Sequence, residues 1–218
     1  VESSTLSALG SGTNDRPIII RPAPGAEGQV DWHPRQRHRG NLNIEGVSNI
    51  VFEGLKMHGY SSTVKTRNSS HIVFRGNEIY DGYRACLGIR ERSHHMLIEG
   101  NLIHHCGVGS NGQTKEQSGD NGEGIYIGLS GADVHLNGTV SHITIRYNEI
   151  YATTDEGINV KNEAHTLVEN NYVHDIVTSD PGAINFNPGG NHSGTGTQMI
   201  ARGTFPVPAD IVEVVSPY

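Results

Sequence analysis

The stretch "SHIVFRGNEIYDG", residues 70–82, decides the fold, because the chain contains it in several versions. The others are "SNIVFEGLKMHG" (48–59), "HHMLIEGNLIHHCG" (94–107), "SHITIRYNEIYAT" (141–153) and "HTLVENNYVHDI" (165–176). Each reads as a strand, a turn and another short strand. With Leu55, Asn77, Asn101, Asn148 and Asn171 taken as equivalent, the steps are 22, 24, 47 and 23 residues. The long step is one coil enlarged by insertions at 107–121 and 129–139.

A second element follows each repeat: "STVKTR" (62–67), "ACLGIR" (85–90), "GEGIYIG" (122–128), "DEGINVK" (155–161) and "GAINFN" (182–187). Its alternation, Leu87 and Ile89 or Ile158 and Val160, predicts one face turned inward. Two strands in a coil of roughly 23 residues leave no room for a βαβ unit. The pattern predicts an all-β solenoid of 22–24 residues per coil, whose coils pair in parallel and bury their apolar faces by stacking. The asparagine column supports this, since asparagine tolerates left-handed turns and its amide can bond the next coil. Beside it run His58, Tyr80, His104, Tyr151 and His174. Stacked rings are the favoured reading of that column and a sugar-binding platform the alternative.

Composition agrees with short strands and tight turns: 28 glycines and only 34% apolar residues. A net charge of −7 argues against nucleic acid as a partner, because phosphates need a surplus of Lys and Arg. No run approaches 18 apolar residues, which argues against a membrane span. The N-terminus has no charged-then-apolar secretory pattern, and the expectation is a soluble, already processed chain that is secreted, extracellular or periplasmic. Cys86 and Cys106 form no disulfide framework and no metal-type spacing. Two buried thiols are the favoured reading, with a single bridge as the alternative.

Residues 1–40 form an N-terminal coil and loop, in which "RPIIIRPAPG" (16–25) is an apolar strand with a Pro/Gly turn. The repeats occupy 41–190, and 191–218 is a tail or last coil containing the strand-like "FPVPADIVEVVSPY". No cap helix is evident at either end, so end-to-end self-association is an expectation.

These residues resemble the right-handed parallel β-helix proteins of the pectate-lyase type, with their asparagine ladders and "I-x-G-N-x-I" coils. That resemblance implies a fold shared by lyases, hydrolases, epimerases and adhesive fibres, so it leaves function open.

Aligned by their inward residues, the second elements place Arg67, Arg90, Gly128, Lys161 and Asn187 in one outward column. Lys65, Gly88, Tyr126, Asn159 and Asn185 form a parallel one. An acidic chain thus carries a local basic ridge, and Gly128 is expected to leave a slot between Arg90 and Lys161. Glu123 and Glu156 fall in register just before their strands. Stacked carboxylates repel, so lysines and arginines or a cation such as Ca²⁺ must neutralise them. Asp120, Asn121, Glu123, Asp155 and Glu156 offer hard oxygen ligands.

A closer resemblance is to polysaccharide lyase family 6, the chondroitinase B and alginate lyase group. "DNGEGIYIG" (120–128), "TTDEGINVKN" (153–162) and "INFNPGG" (184–190) occur in the order of that family's motifs, with its Glu-to-Lys spacing of five from Glu156 to Lys161. The resemblance implies Ca²⁺-assisted β-elimination on an acidic, uronate-containing polysaccharide. In that reading Asp120, Asn121, Glu123 and Glu156 hold the metal and Lys161 removes the C5 proton. Arg90 assists as a cation lowering the lysine pKa, and Arg67, Tyr126, Asn159 and Asn187 contact substrate. The family's first Glu falls on Thr154 and its catalytic Arg on Asn187; Tyr126, His165 and His174 are the candidate replacements. Alternatives in other classes are a structural or adhesive solenoid stacking into fibres, a uronan epimerase and a glycoside hydrolase.

Overall fold

The computed structural model describes residues 4–6, 10–35, 40–107, 122–128, 140–161, 163–176, 183–187 and 199–202. Among the described residues, twenty strands lie in three parallel sheets that the chain visits in rotation. The first sheet is β1 (Ser4–Thr5), β4 (Asn41–Glu45), β7 (Ser62–Arg67), β10 (Leu87–Ile89), β13 (Ile125–Ile127), β16 (Ile158–Lys161) and β19 (Ile184–Asn187). The second is β2 (Ile18–Ile20), β5 (Ser48–Glu53), β8 (Ser70–Arg75), β11 (His94–Glu99), β14 (Val140–Arg146), β17 (Glu163–Glu169) and β20 (Met199–Arg202). The third is β3 (Asp31–Trp32), β6 (Lys56–His58), β9 (Glu78–Tyr80), β12 (Leu102–Cys106), β15 (Glu149–Thr153) and β18 (Tyr172–His174). The solenoid is the one expected, with a correction to its cross-section: each coil has three strands rather than two. The short strand after the asparagine turn builds a sheet of its own.

Inward positions form columns along the axis. Leu42, Val64, Leu87, Ile125 and Ile158 are one, Ile44, Thr66, Ile89, Ile127 and Val160 another, all buried and in register. The β-branched residues suit this because a pleated inner face packs branched side chains well. Phe52 and Phe74 stack at 5.3 Å in the same core.

The asparagines join the coils. Asn101 Oδ1 accepts the Asn77 backbone N–H and Nδ2 at 3.0 Å, while Asn101 Nδ2 donates to the Phe74 carbonyl and to Asn148 Oδ1. Asn77, Asn148 and Asn171 repeat the pattern. The left-handed residue is the preceding one: Gly54, Gly76, Gly100, Tyr147 and Asn170 have φ of 65°, 59°, 62°, 56° and 53°. The asparagine's own task is hydrogen bonding.

Three ladders cover the outside. His58, Tyr80, His104, Tyr151 and His174 stack at 4.6 to 5.1 Å, so their faces are spent on one another, as the stacked-ring reading expects and a sugar platform does not. On the second sheet His71, His95, His142 and His165 stack at 5.0, 4.5 and 4.8 Å, each with positive φ. Neighbouring positions Glu53, Arg75, Glu99, Arg146 and Glu169 alternate in sign from coil to coil. Glu99 binds Arg75 at 2.7 Å and Arg146 at 2.8 Å. A coil out of register would part these opposite charges, which costs free energy.

Cys86 and Cys106 are buried, as expected, and they are disulfide-bonded, which corrects the two-thiol reading. The bridge ties the start of β10 to the end of β12 across 20 residues, a closure that stabilises by about 3 kcal/mol. No helix among the described residues is long and apolar enough to cross a membrane. The strand-like segment expected in 205–218 lies outside the described residues; within the tail, β20 joins the second sheet.

Candidate functional site

Two turns build the site, Gly122–Gly124 ahead of β13 and Thr154–Gly157 ahead of β16. Because β13 and β16 pair in register, Glu123 and Glu156 stack on adjacent coils. The Gly124 N–H donates to the Glu156 carbonyl at 3.1 Å and the Ile125 N–H to that of Gly157 at 2.9 Å.

Carboxylate oxygens of Glu123, Asp155 and Glu156 lie within 4.8 Å of one another, and the residues are only 1%, 4% and 4% exposed. Glu156 is well supplied: Oε1 accepts from Asn185 at 2.8 Å and Oε2 from Asn159 at 3.1 Å. Burial works to raise its pKa, and the Asn185 and Asp155 hydrogen bonds with the Lys161 charge outweigh it, leaving Glu156 lowered. Glu123 stands opposite. Burial, with Asp155 and Glu156 beside it, pushes its pKa up to about 7. Glu123 Oε1 and Asn159 Oδ1 are buried with no hydrogen-bond partner among the described residues. Three carboxylates, one of them with an orphaned oxygen, and the orphaned Asn159 Oδ1 beside them fit a hard divalent cation, the donor chemistry Ca²⁺ takes. Asp120 and Asn121, expected as ligands, lie outside the described residues; Asp155 is the third acid of the cluster.

Beside the acids lies a cationic pair around one ring. Arg90 Cζ sits 3.8 Å from the centre of the Tyr126 ring, and Lys161 Nζ 5.5 Å. Burial lowers the Arg90 pKa, with Tyr126 and Glu123 opposing. The expected slot at Gly128 is absent. A Cβ there would collide with the Lys161 carbonyl oxygen, the backbone sits at φ 91°, and Tyr126 rather than empty space lies between the cations. Tyr126 is 1% exposed, so it offers no open stacking face, and its Oη is buried without a hydrogen-bond partner among the described residues. The site is closed over this hydroxyl.

Other expected residues are placed as follows. Asn159 is buried and serves Glu156 rather than facing solvent. Arg67 is paired with Glu91 at 3.1 Å. Asn187 pairs with Lys161 through the β-ladder. Thr154, where the resemblance places a glutamate, is packed between Gly107 and Gly122, each of whose Cβ positions its hydroxyl would overlap. A longer acid does not fit there, and Asp155 takes the buried place beside Glu156. Lys65 carried no role in the sequence reading, although it lies in the Tyr126 column; its position in that column was the available signal.

A closed carboxylate cluster, a two-cation aromatic centre and parallel coils define the class: a β-helix with a polar site on one sheet. The chain belongs to the right-handed β-helix family, whose pattern, described as right handed beta helix region, matches residues 36–179. No curated protein matches the sequence. Among solved structures, an alginate lyase from Paenibacillus sp. str. FPU-7 is similar in fold, with a TM-score of 0.50 and 21% identity. That match covers 86% of this chain and 66% of the other, so the chain spans just under two thirds of that protein's length.

Proposed function

We propose that the protein is a carbohydrate-active β-helix that binds uronate-containing polysaccharide and cleaves it by β-elimination. The observation that carries the reading is the adjacency of the buried Glu123–Asp155–Glu156 cluster to Lys161, Tyr126 and Arg90. Glu123, Asp155 and Glu156 would hold Ca²⁺, which when bound would supply positive charge against the substrate carboxylate. Lys161 removes the C5 proton; the C5–H electron pair becomes the C4=C5 double bond as the C4–O bond breaks. The Tyr126 hydroxyl, unpartnered and flanked by cations, gives its proton to the departing glycosidic oxygen, the task the resemblance assigns to an arginine where this chain has Asn187. Arg90 keeps cationic charge beside the ring. Entry of substrate requires the site to open over Tyr126.

Two further points support the reading. The Cys86–Cys106 bridge suits an oxidising compartment, hence a secreted or periplasmic protein. The fold is also that of a solved alginate lyase, which makes alginate the first polymer to try. The test is absorbance of unsaturated uronate ends after incubation with alginate, pectate or chondroitin, with and without Ca²⁺. Product is expected from at least one polymer, abolished by Lys161→Ala and reduced about 10² to 10⁴-fold in kcat by Tyr126→Phe. Absence of product from all of them overturns the lyase reading, and filaments of purified protein in negative-stain images would favour the end-to-end assembling solenoid instead.

A further inference from the structure

Lys65 is a cation of this sheet outside the Tyr126 centre. It lies on β7 in register with Gly88 of β10 and, one coil on, Tyr126 of β13. It is half-buried, and no hydrogen bond or ion pair to it is found among the described residues. Around it stand Arg67, Arg84 and Arg90, with one acid, Glu91, already bound by Arg67. Burial first, and then Arg67 and Arg90, push its pKa down to about 8, as expected where cations gather without a counter-charge. Gly88 contributes no side chain to the column. The atoms nearest to a Cβ built there are Arg90 Nε at 3.5 Å, the Val64 carbonyl oxygen at 3.8 Å and Lys65 Cγ at 4.0 Å. Gly88 and Tyr126 are themselves buried, and the half-buried Lys65 brings positive charge to this face of a chain of net charge −7.

Coils spaced ~4.8 Å apart put Lys65 three coils, ~14 Å, from Lys161, a reach of a few sugar rings. We infer that Lys65 forms a carboxylate-binding subsite for a uronate unit remote from the bond being cleaved, so that the polymer lies along the helix axis towards the N-terminal coils. This rests on the polysaccharide reading above and adds its direction and a preference for long chains. Charge complementarity commits the occupant to a carboxylated polymer rather than a neutral glycan, and the coil spacing favours a polymer over a free small carboxylate.

The test is titration calorimetry of wild type, Lys65→Ala and Lys65→Arg with alginate, polygalacturonate and chondroitin. It includes their disaccharides and hexasaccharides, neutral dextran and free glucuronate, alongside elimination kinetics on the same series. Lys65→Ala is expected to weaken hexasaccharide and polymer binding about tenfold while leaving disaccharide affinity and kcat unchanged, with Lys65→Arg restoring it. Equal affinity of wild type and Lys65→Ala for long chains overturns the subsite, as does equal weakening for short and long chains, or no binding of any uronate by wild type. Free glucuronate binding that Lys65→Ala abolishes, with no gain from chain length, overturns the polymer orientation. Lys65→Gln replaces Lys65→Ala if that variant melts lower than wild type. The two readings fail separately: Lys65-dependent binding without product sinks only the lyase, and product formation indifferent to Lys65 at every length sinks only the subsite.

Discussion

Glu123 and Glu156 show how little a residue's chemistry follows from its type. Both are buried glutamates one coil apart, yet Glu156 receives two asparagine amides while Glu123 Oε1 receives none. Their pKa values therefore move in opposite directions. A divalent cation bound by the cluster interacts with the folded chain alone, so it stabilises by mass action. Wild type is expected to melt several degrees higher in millimolar Ca²⁺ than in chelator, and Glu123→Gln to lose that shift while folding normally in chelator; differential scanning fluorimetry reads both. An unchanged Ca²⁺ shift in Glu123→Gln would remove Glu123 from the ligand set. The spacing from Glu156 to Lys161 was legible in the sequence because both sit on one short coil with strict alternation. The fate of Thr154 was not, since it depends on how closely Gly107 and Gly122 approach from another coil. The Gly128 slot failed for a similar reason. Register placed the glycine correctly, but the backbone of Lys161 closes in where a side chain is missing.

At the scale of strands, the repeat was legible because each coil restates the same constraints: an inward pair, a left-handed turn and an amide that bonds its neighbour. The third sheet was harder to see, as its strands of two to five residues carry one or two inward side chains, too few to show a period. The interior of the asparagine column carries a checkable energy. Removing the Asn101 amide strips partners from the Asn77 N–H and the Phe74 carbonyl, inside the solenoid, while Asn148 Oδ1 keeps the Asn101 backbone N–H. Unsatisfied buried groups cost about 1–3 kcal/mol each, and partial relaxation keeps the total below their sum. Asn101→Ala is expected to lose about 3 kcal/mol in urea unfolding, and Asn171→Ala less, because Asn171 is half-buried. Equal losses at both positions would show that the ladder's worth does not depend on burial.

Over the whole molecule, histidines set the response to acid. The chain has 13, many of them in ladders where each ring faces another. Burial lowers the pKa of His94, with His95, His71 and His142 adding to it; burial and then His95 and His165 lower that of His142. His104 is lowered by burial and by His105 despite Glu78. A base whose folded pKa lies below its unfolded value of about 6.5 is protonated more readily in the unfolded chain. Its contribution is complete above that value and is lost as pH falls from about 6.5 through the lower folded pKa. Glu78, Glu99 and Glu156, all lowered, hold their contributions down to about 4.5 and lose them at more acid pH. Glu123 has the reverse sign: raised to about 7, it favours the folded state most at low pH and loses that advantage as pH rises towards 7. Thermal midpoints measured from pH 8 to pH 4 should therefore show a histidine decline beginning near 6.5, opposed by Glu123 between about 7 and 4.5, and a carboxylate decline beneath it. Replacing His142 by Gln, which cannot charge, should flatten the first stage and leave the second. Identical profiles for wild type and His142→Gln would locate the acid response elsewhere than in the stacked imidazoles.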